Sequence, residues 1–188
     1  MALLIRSART SDIQAIRDLI TPYVEERVLL GKELVVLYEA TQEFLVAELD
    51  GRVVGAGALH IFWEDLAEIR TLVVDRTAQG HGIGHKLVSA LIERGRTIGV
   101  WRIFCLTFEV DFFTRSGFTR MLDPGIDPDT YVELVRSPDE GVAEFLELQR
   151  VKQNTLGNTR MILHLDHDSS NGDAPRAQQG RFDDPADR

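Results

Sequence analysis

The fold of this chain is decided by residues 69–87, which read Ile69-Arg70-Thr71-Leu72-Val73-Val74-Asp75-Arg76-Thr77-Ala78-Gln79-Gly80-His81-Gly82-Ile83-Gly84-His85-Lys86-Leu87. The apolar residues at the start predict a strand over residues 67–74, and the periodic apolar residues after the glycines predict an amphipathic helix over residues 84–99. Glycines let backbone N–H groups approach a pyrophosphate closely, and a helix N-terminus adds about half a positive charge. The stretch therefore predicts a strand, a glycine loop and a helix that together bind an anion.

Two familiar nucleotide loops fit this stretch poorly. A kinase-type phosphate loop ends in Gly-Lys followed by Ser or Thr, and this ending is missing. A dinucleotide-binding unit needs the spacing G-x-G-x-x-G after the first strand of a βαβ unit. Here Gly80, Gly82 and Gly84 are spaced two by two, and the strand follows an antiparallel hairpin. A structural glycine turn in an unrelated α+β domain stays open as an alternative on these grounds.

The first part of the chain predicts a short strand and a helix. Residues 3–5 are apolar and favour the strand. Ser11 and Gln14 have the spacing of a capping box, which predicts that a helix begins there. Pro22 should kink or end this helix near Thr21, because proline lacks the N–H that a helix interior requires.

A hairpin leads into the central strand. Residues 44–49 and 52–60 are two apolar runs joined by Asp50-Gly51, a dipeptide that supplies the positive φ angles of a tight turn. Before the hairpin, residues 25–37 predict a second helical piece that is interrupted at Gly31. Two neighbouring antiparallel strands therefore precede the strand at residues 67–74.

The second half of the chain continues with alternating strands and helices. We predict a strand over residues 101–107 and a short helix over 110–116 that ends at Gly117. Residues 137–150 begin with a capping box and a proline in the first turn, which predicts another helix. Residues 160–165 are typical of a closing strand.

Length and composition favour one domain. The 188 residues and the 44% hydrophobic content suffice for a single buried core, which we place in residues 1–165. Residues 166–188 contain Phe182 as their one large apolar side chain, too little to offset the entropy of ordering. We expect this acidic tail to be disordered.

Charge and hydropathy exclude several classes of function. The formal net charge of −9 argues against nucleic-acid binding, which needs a basic face. No apolar run approaches the roughly 20 residues that cross a bilayer, and we expect a cytoplasmic protein without a membrane anchor. Cys105 is the single cysteine and lies in an apolar run, so we expect a buried thiol instead of a nucleophile. We expect no bound metal ion.

The glycine loop resembles that of a known enzyme superfamily. Residues 79–84 match the Q/R-x-x-G-x-G/A signature of GNAT acetyltransferases. Residues 6–12 resemble the R-x-A-x-x-x-D opening of this family, and residues 113–118 resemble its late helix ending in Gly-Phe. The resemblance implies an α+β GNAT fold, with a central mixed, mostly antiparallel sheet flanked by helices on both faces.

The resemblance also implies acetyl-CoA as the acyl donor. In this family the pantetheine arm lies against the fourth strand and the pyrophosphate binds the amides of the glycine loop. His81 and His85 either lie beside the phosphates or are solvated polar residues. The implied donor-binding residues are Leu72, Val73, Val74, Gln79, Gly80, His81, Gly82, Ile83, Gly84, His85 and Phe112.

Acetyl transfer to an amine requires a base, an oxyanion site and a leaving thiolate. Glu68 on the central strand is the candidate base, with a structural ion pair to Arg70 as the alternative. The oxyanion is expected at a backbone amide near Val73. Many family members place a Tyr where this chain has Phe113, which leaves water, a hydroxyl such as that of Thr107, or no acid to protonate the thiolate.

Within the superfamily, the chain resembles the GNAT domain of N-acetylglutamate synthases, in particular the short single-domain form of actinobacteria. The segments that carry this resemblance are residues 55–60, 68–71, 106–109 and 154–161. The resemblance implies an amino-acid acceptor, L-glutamate or L-glutamine, at the first step of arginine biosynthesis. It also implies a homodimer.

An amino acid such as glutamate brings two carboxylates into a largely dry cleft, where they need cations or hydrogen-bond donors. The candidate acceptor-binding residues are Lys32, Arg70, Thr107, Asn158 and Arg160. Two alternatives stay open: acetylation of another amine, such as an aminoglycoside, a polyamine or a protein N-terminus, and a non-catalytic acetyl-CoA sensor.

Overall fold

The computed structural model describes residues 2–122, 125–139, 142, 146 and 157–166. Seven strands of this part form one sheet in the order β1-β2-β3-β4-β5-β7-β6. The strands are β1 Leu3–Ser7, β2 Phe44–Leu49, β3 Arg52–Ile61, β4 Leu66–Val74, β5 Arg102–Thr107, β6 Thr119–Arg120 and β7 Thr159–His164. The α-helices are α1 Ile13–Glu25, α2 Leu34–Glu39, α3 Ile83–Ile98, α4 Val110–Arg115 and α5 Pro128–Val135.

The sheet consists of two antiparallel halves with a parallel junction. Strands β1 to β4 pair antiparallel in sequence order, and β7 pairs antiparallel with both β5 and β6. Strands β4 and β5 are parallel and pair only where residues 66–68 meet residues 102–104. Beyond Glu68 the two strands therefore separate, and the mixed, mostly antiparallel sheet opens into a cleft.

Helices cover both faces of the sheet. The core on one face is formed around α3, whose Leu87, Val88 and Leu91 are buried. The core on the opposite face is formed around α1, with Ile13 and Ile16 fully buried. Burying one apolar stripe of each helix against the sheet is the main favourable contribution to this arrangement. The predicted α+β fold with helices on both faces is confirmed.

The predicted hairpin is confirmed as β2 and β3. Asp50 and Gly51 at its turn have φ angles of 49° and 83°, the left-handed conformation that a tight primed turn requires. The predicted strands at residues 3–5, 67–74 and 101–107 correspond to β1, β4 and β5, and their ends agree to within two residues.

The start and end of α1 differ from the prediction. The carboxylate of Asp12 accepts from the backbone N–H of Arg9 (2.7 Å), so the helical region opens with a short turn at Thr10–Asp12 instead of a capping box at Ser11. Pro22 lies inside the helix in its last turn, where one missing N–H disrupts little. The helix ends after Glu25 because Arg27 adopts a φ angle of +60°.

Two further expectations were wrong or incomplete. Residues 26–33 are not helical, so the second helical piece is limited to α2. Helix α5 was not predicted, although Asp127 caps it by accepting from the N–H groups of Asp129 and Thr130. Proline at the first position also favours this helix start.

The structure describes only part of the residues in the predicted C-terminal elements. The closing strand is confirmed as β7. Of the helix predicted over residues 137–150, only residues 137–139, 142 and 146 are described, and residues 167–188 of the predicted disordered tail lie outside the described residues. No helix in the described part of the chain has the length and apolar character that a membrane span requires.

Candidate active site

The separation of β4 from β5 creates a cavity of about 620 Å³. Its walls come from the end of α1 with the loop that follows it, from β4, from the glycine loop with the start of α3, and from the end of β5 with α4. The residues that form these walls are Tyr23, Val28, Leu29, Ile69, Arg70, Thr71, Leu72, Val73, Val74, Ala78, Gln79, Gly80, Gly82, Ile83, Gly84, His85, Leu106, Thr107, Phe108, Glu109, Phe112, Phe113 and Arg115.

A bulge interrupts β4 where the strand borders the cavity. Ala56 pairs with Val73 and Ala58 pairs with Arg70, so Thr71 and Leu72 together face the single residue Gly57. Thr71 has a φ angle of +56°, a conformation that β-branched residues rarely adopt. Bulges of this kind change the direction of backbone groups next to active sites. Strained backbone at this point is consistent with a functional role for the backbone groups of β4 that follow it.

The glycine loop connects β4 to α3 through two left-handed residues. Gly80 and Gly82 have φ angles of 79° and 73°, and α3 begins directly after Gly82. The first N–H groups of a helix have no partner within the helix and attract anions. Ile83, Gly84 and His85 supply these N–H groups, and all three belong to the cavity wall.

Gly84 has a different role, because an aromatic ring packs directly on it. A Cβ atom at this position would meet the Phe112 ring at 3.2 Å, closer than most real contacts. The same ring stacks on His85 with a centroid distance of 4.4 Å, and His85 Nδ1 hydrogen-bonds with the Ser116 hydroxyl (3.0 Å). The start of α3 is thereby fixed against α4 on the far side of the cavity.

His81 lies outside the cavity wall, unlike the other predicted donor-binding residues. Its Nδ1 lies 2.9 Å from the carbonyl oxygen of Gln79. Because a carbonyl can only accept, Nδ1 must carry the proton and donate it. His81 therefore stabilises the turn of the glycine loop in this structure, and its role beside the phosphates stays a prediction.

Arg70, in the middle of β4, is the centre of a charged cluster. Its side chain is 10% exposed, and its Nη1 lies 3.0 Å from both carboxylate oxygens of Asp139. Its Nη2 donates to Glu43 (3.1 Å), and Nη1 lies 3.9 Å from Glu68 Oε2. Burial alone would lower the pKa of Arg70, but the charges of Glu68, Asp139 and Glu43 outweigh it and raise that pKa. The guanidinium is thus surrounded by three carboxylates.

The predicted base Glu68 is buried and does not line the cavity, although Arg70 two residues later does. Both point to the same face of the sheet, because side chains alternate along a strand. The position of Glu68 beside Arg70 is compatible with both hypotheses, a catalytic base and an ion-pair partner.

Lys32 and His60 complete the cluster. Burial lowers the pKa of Lys32, and the nearby Arg70 charge lowers it further, while the carboxylates oppose both effects. His60 Nδ1 hydrogen-bonds with Glu43 Oε1 (2.8 Å). Burial would raise the pKa of Glu43, but the hydrogen bond to His60 and the charge of Arg70 together lower it. Lys32 itself does not form part of the cavity wall.

The remaining predicted acceptor residues lie along β5 and β7. The Thr107 hydroxyl accepts from the Glu109 N–H (2.9 Å), which leaves its own hydrogen able to point into the cavity. Arg160 faces Leu106 in the β5–β7 pairing, and Asn158 precedes β7. Neither Asn158 nor Arg160 belongs to the cavity wall, although Leu106 does.

Phe113 and Cys105 are apolar parts of the core. Phe113 is buried between the rings of Phe112 and Phe118, with centroid distances of 5.1 and 5.3 Å. It offers no proton for a leaving thiolate. Cys105 is buried, and burial raises the pKa of its thiol, so it is not a nucleophile.

Sequence reasoning missed four residues that the fold brings to the site: Tyr23, Glu43, His60 and Asp139. Asp139 lies in a segment that the sequence predicts only as the start of a helix. His60 belongs to the segment 55–60 that carries the resemblance to synthases, but the sequence analysis gives it no role. It faces Glu68 across the β3–β4 pair, a relationship that the hairpin register determines. The contacts in the fold reveal the place of all four residues at the site.

Comparison with known proteins now identifies the family. The family described as acetyltransferase (GNAT) matches residues 13–118. The chain belongs to this family. An amino-acid acetyltransferase of Mycobacterium tuberculosis is 52% identical over 164 residues, which cover 86% of this chain and 94% of that protein. The expected GNAT membership and the similarity to amino-acid acetyltransferases are therefore confirmed.

Solved structures of GNAT proteins agree with the fold. A Mycobacterium tuberculosis protein in complex with CoA and NLQ has a TM-score of 0.83 and 51% identity, and the match covers 87% of this chain and 99% of that one. The N-acetylglutamate synthase of Neisseria gonorrhoeae, complexed with coenzyme A and N-acetyl-glutamate, has a TM-score of 0.70 and 27% identity. That match covers 88% of this GNAT chain and 36% of the synthase.

Some relatives are much longer. An amino-acid acetyltransferase of Neisseria meningitidis is 37% identical over 116 residues, which are 61% of this chain and 27% of that protein. The GNAT domain described above thus corresponds to about a quarter of that relative.

Within the described residues, no group of three or more His, Cys, Asp or Glu side chains is arranged to hold a metal ion.

Proposed function

We propose that this protein transfers the acetyl group of acetyl-CoA to the α-amino group of L-glutamate or L-glutamine, the first step of arginine biosynthesis. One observation carries the proposal: a single cavity joins the anion-binding start of α3 to the buried charged cluster around Arg70. The amino-acid acetyltransferase of Mycobacterium tuberculosis, similar over nearly its whole length, supports the same conclusion.

The donor occupies the glycine-loop end of the cavity. Its diphosphate binds the N–H groups of residues 79–84, where the helix N-terminus provides a partial positive charge. Its pantetheine arm follows the edge of β4 at residues 72–74, which β5 leaves unpaired. This edge offers backbone donors and acceptors to the two pantetheine amides, in the way that a further strand would pair.

The acceptor occupies the end of the cavity near Arg70. Arg70 and Lys32 supply positive charge from one side, and Thr107 supplies a hydroxyl from the other. Asn158 and Arg160 lie at the start of β7, next to the β5 residues of the wall, and are the further candidates for binding an acceptor carboxylate. Carboxylates taken out of water need such partners.

The reaction then needs few chemical groups. The ammonium group of the acceptor loses a proton to Glu68, directly or through water, and the free amine attacks the thioester carbonyl carbon. The resulting oxyanion is stabilised by a backbone N–H of β4 near Val73, and the C–S bond breaks to release coenzyme A as a thiolate. The nitrogen of the intermediate still carries one proton more than the amide product, and this proton passes to the thiolate through water or the Thr107 hydroxyl, since Phe113 has none to give.

An acceptor screen tests this proposal. The protein is incubated with acetyl-CoA and each of the twenty amino acids, and free thiol is followed. We expect release above background with glutamate or glutamine. No release with any amino acid, combined with tight coenzyme A binding in calorimetry, would favour a non-catalytic sensor or another amine acceptor. No coenzyme A binding at all would contradict the donor site itself.

We also propose that the protein acts as a cytoplasmic homodimer, as the family resemblance implies. Light scattering after size-exclusion chromatography measures the mass in solution. A mass near twice the 21.2 kDa of the chain is expected, and a mass near 21 kDa would contradict it.

A further inference from the structure

The carbonyl of Val74 points into the cleft where β4 has no neighbour. The N–H of Asp75 donates to Val54 on β3 (2.8 Å), and all peptide bonds of the described residues are trans. In a trans peptide the C=O and the N–H point in opposite directions, so the Val74 carbonyl points away from β3. This carbonyl accepts a hydrogen bond from the hydroxyl of Tyr23 (2.9 Å).

The same hydroxyl also holds the first residue of the glycine loop. Gln79 Nε2 donates to the Tyr23 oxygen (2.8 Å) and lies 3.4 Å from the Val74 oxygen. The phenol group of Tyr23 therefore links Val74 at the end of β4 to Gln79, which lies five residues later in the glycine loop. The Arg76 guanidinium lies over the Tyr23 ring at 5.6 Å and also pairs with Glu26, which fixes the ring from the solvent side.

The backbone of Tyr23 fixes the opposite wall of the cavity. Its carbonyl accepts from the N–H groups of Val28 (2.8 Å) and Leu29 (3.2 Å), and both residues line the cavity. Arg27, with its positive φ angle, lets the chain reverse so that these two bonds can form. Tyr23 thus contacts the glycine loop through its side chain and the loop after α1 through its main chain.

We propose that Tyr23 is a positioning residue for acetyl-CoA. By holding Gln79 against Val74, its hydroxyl fixes the glycine loop in the conformation that receives the diphosphate, and it places the loop after α1 beside the pantetheine path. Without the hydroxyl, the loop must be ordered when the donor binds, which weakens binding. This inference rests only on the donor half of the proposed function and is independent of the acceptor.

The test compares Tyr23→Phe, Gln79→Leu and the double variant. Each single substitution removes one side of the same contact, so we expect each to raise the Kd for coenzyme A by about three- to tenfold. The double variant should be no weaker than the weaker single variant, because the two groups act as one unit. The kcat at saturating acetyl-CoA should change by less than about twofold, since uniform binding is lost and no chemical group is removed.

Tyr131→Phe is the matched control. Tyr131 lies on α5, is partly exposed, and does not belong to the cavity wall, so its variant should bind coenzyme A like the wild type. Wild-type affinity in Tyr23→Phe, or additive losses in the double variant, would overturn the inference while leaving the proposed function intact. If the wild type itself does not bind coenzyme A, the donor proposal fails instead. Should Tyr23→Phe fold poorly by thermal unfolding, Gln79→Leu decides alone.

Discussion

Arg70 and Asp139 form an ion pair in which one guanidinium nitrogen, Nη1, lies 3.0 Å from both oxygens of the carboxylate. The pair links the central strand to the segment after α5 and places a carboxylate of the chain itself on the guanidinium that we assign to the acceptor. An acceptor carboxylate must therefore compete with Asp139 for Arg70.

Asp139→Asn should strengthen acceptor binding. The substitution keeps the shape of the side chain and its oxygen beside the Val142 N–H, but removes the competing charge. We expect the KM for glutamate to fall by about threefold, because a partly buried charge of this kind shifts binding by about 1 kcal/mol or less. Steady-state kinetics at saturating acetyl-CoA measures this.

The control for this change is Asp65→Asn. Asp65 pairs with Arg102 at 2.8 and 3.2 Å, with similar burial, but neither residue lines the cavity. Its variant should leave the KM for glutamate unaltered. An increased KM in Asp139→Asn would show that the pair organises the acceptor site instead of competing with the acceptor.

Arg70→Met should destabilise the fold in a pH-dependent manner. In the wild type the pKa values of Glu43 and Asp139 are lowered below 4.5 and 3.8, so the stability that they contribute is present above those values and lost on acidification. Without Arg70 the carboxylates lose their cation, and we expect a loss of about 3 kcal/mol at pH 7.

The difference between Arg70→Met and the wild type should shrink towards pH 3.5, because protonation removes the uncompensated charges from the variant, while the stability that the lowered pKa values give the wild type declines below pH 4.5. Urea unfolding at the two pH values measures it. An equal loss of unfolding free energy at both pH values would mean that packing, and not charge, explains the effect.

Thr71→Gly should raise the unfolding free energy but lower the activity. Thr71 has a φ angle of +56° in the β4 bulge, and glycine adopts this conformation without strain. We expect the unfolding free energy to rise by about 0.5 kcal/mol, since relief of about 1 kcal/mol or more is partly offset by the entropy of glycine. The kcat should fall because the bulge that orients the β4 backbone beside the cavity becomes more mobile. Denaturant unfolding and steady-state kinetics measure the two effects.

Asp50→Gly provides the comparison for Thr71. Asp50 also has a positive φ angle (49°), but it lies in the β2–β3 turn, outside the cavity wall. Its variant should keep the wild-type kcat. A Thr71→Gly enzyme with full kcat would contradict a functional role for the bulge.

Arg160→Ala should weaken acceptor binding without changing coenzyme A binding. Arg160 faces Leu106 of the cavity wall across the β5–β7 pair, at the end opposite the glycine loop. We expect a raised acceptor KM or a loss of turnover, with an unchanged Kd for coenzyme A in calorimetry. Unaltered acceptor kinetics would show that Arg160 is no carboxylate ligand.

Local patterns in the sequence predicted most of the sheet correctly. The Asp50-Gly51 turn, the apolar runs of β4 and β5 and the glycine loop before α3 each depend on neighbouring residues, and each was found close to its observed place. The extent of α1 was not predicted. The Asp12 carboxylate bonds to Arg9 three residues earlier, a spacing that the prediction did not use, and Arg27 ends the helix through a positive φ angle that its residue type does not signal. Helix α5 was missed although Asp127 and Pro128 form a readable start signal.

The sequence by itself determined the family, the fold and the anion-binding loop, because glycines at φ angles near +75° and a helix start act over a few residues. Only the tertiary structure decided what surrounds Arg70 and Tyr23. Asp139 lies 69 residues from Arg70 in the chain, and Gln79 lies 56 residues from Tyr23. Contacts over such separations depend on how strands and helices pack. The carboxylates around Arg70 and the hydrogen bonds of Tyr23 to the glycine loop therefore follow from the fold.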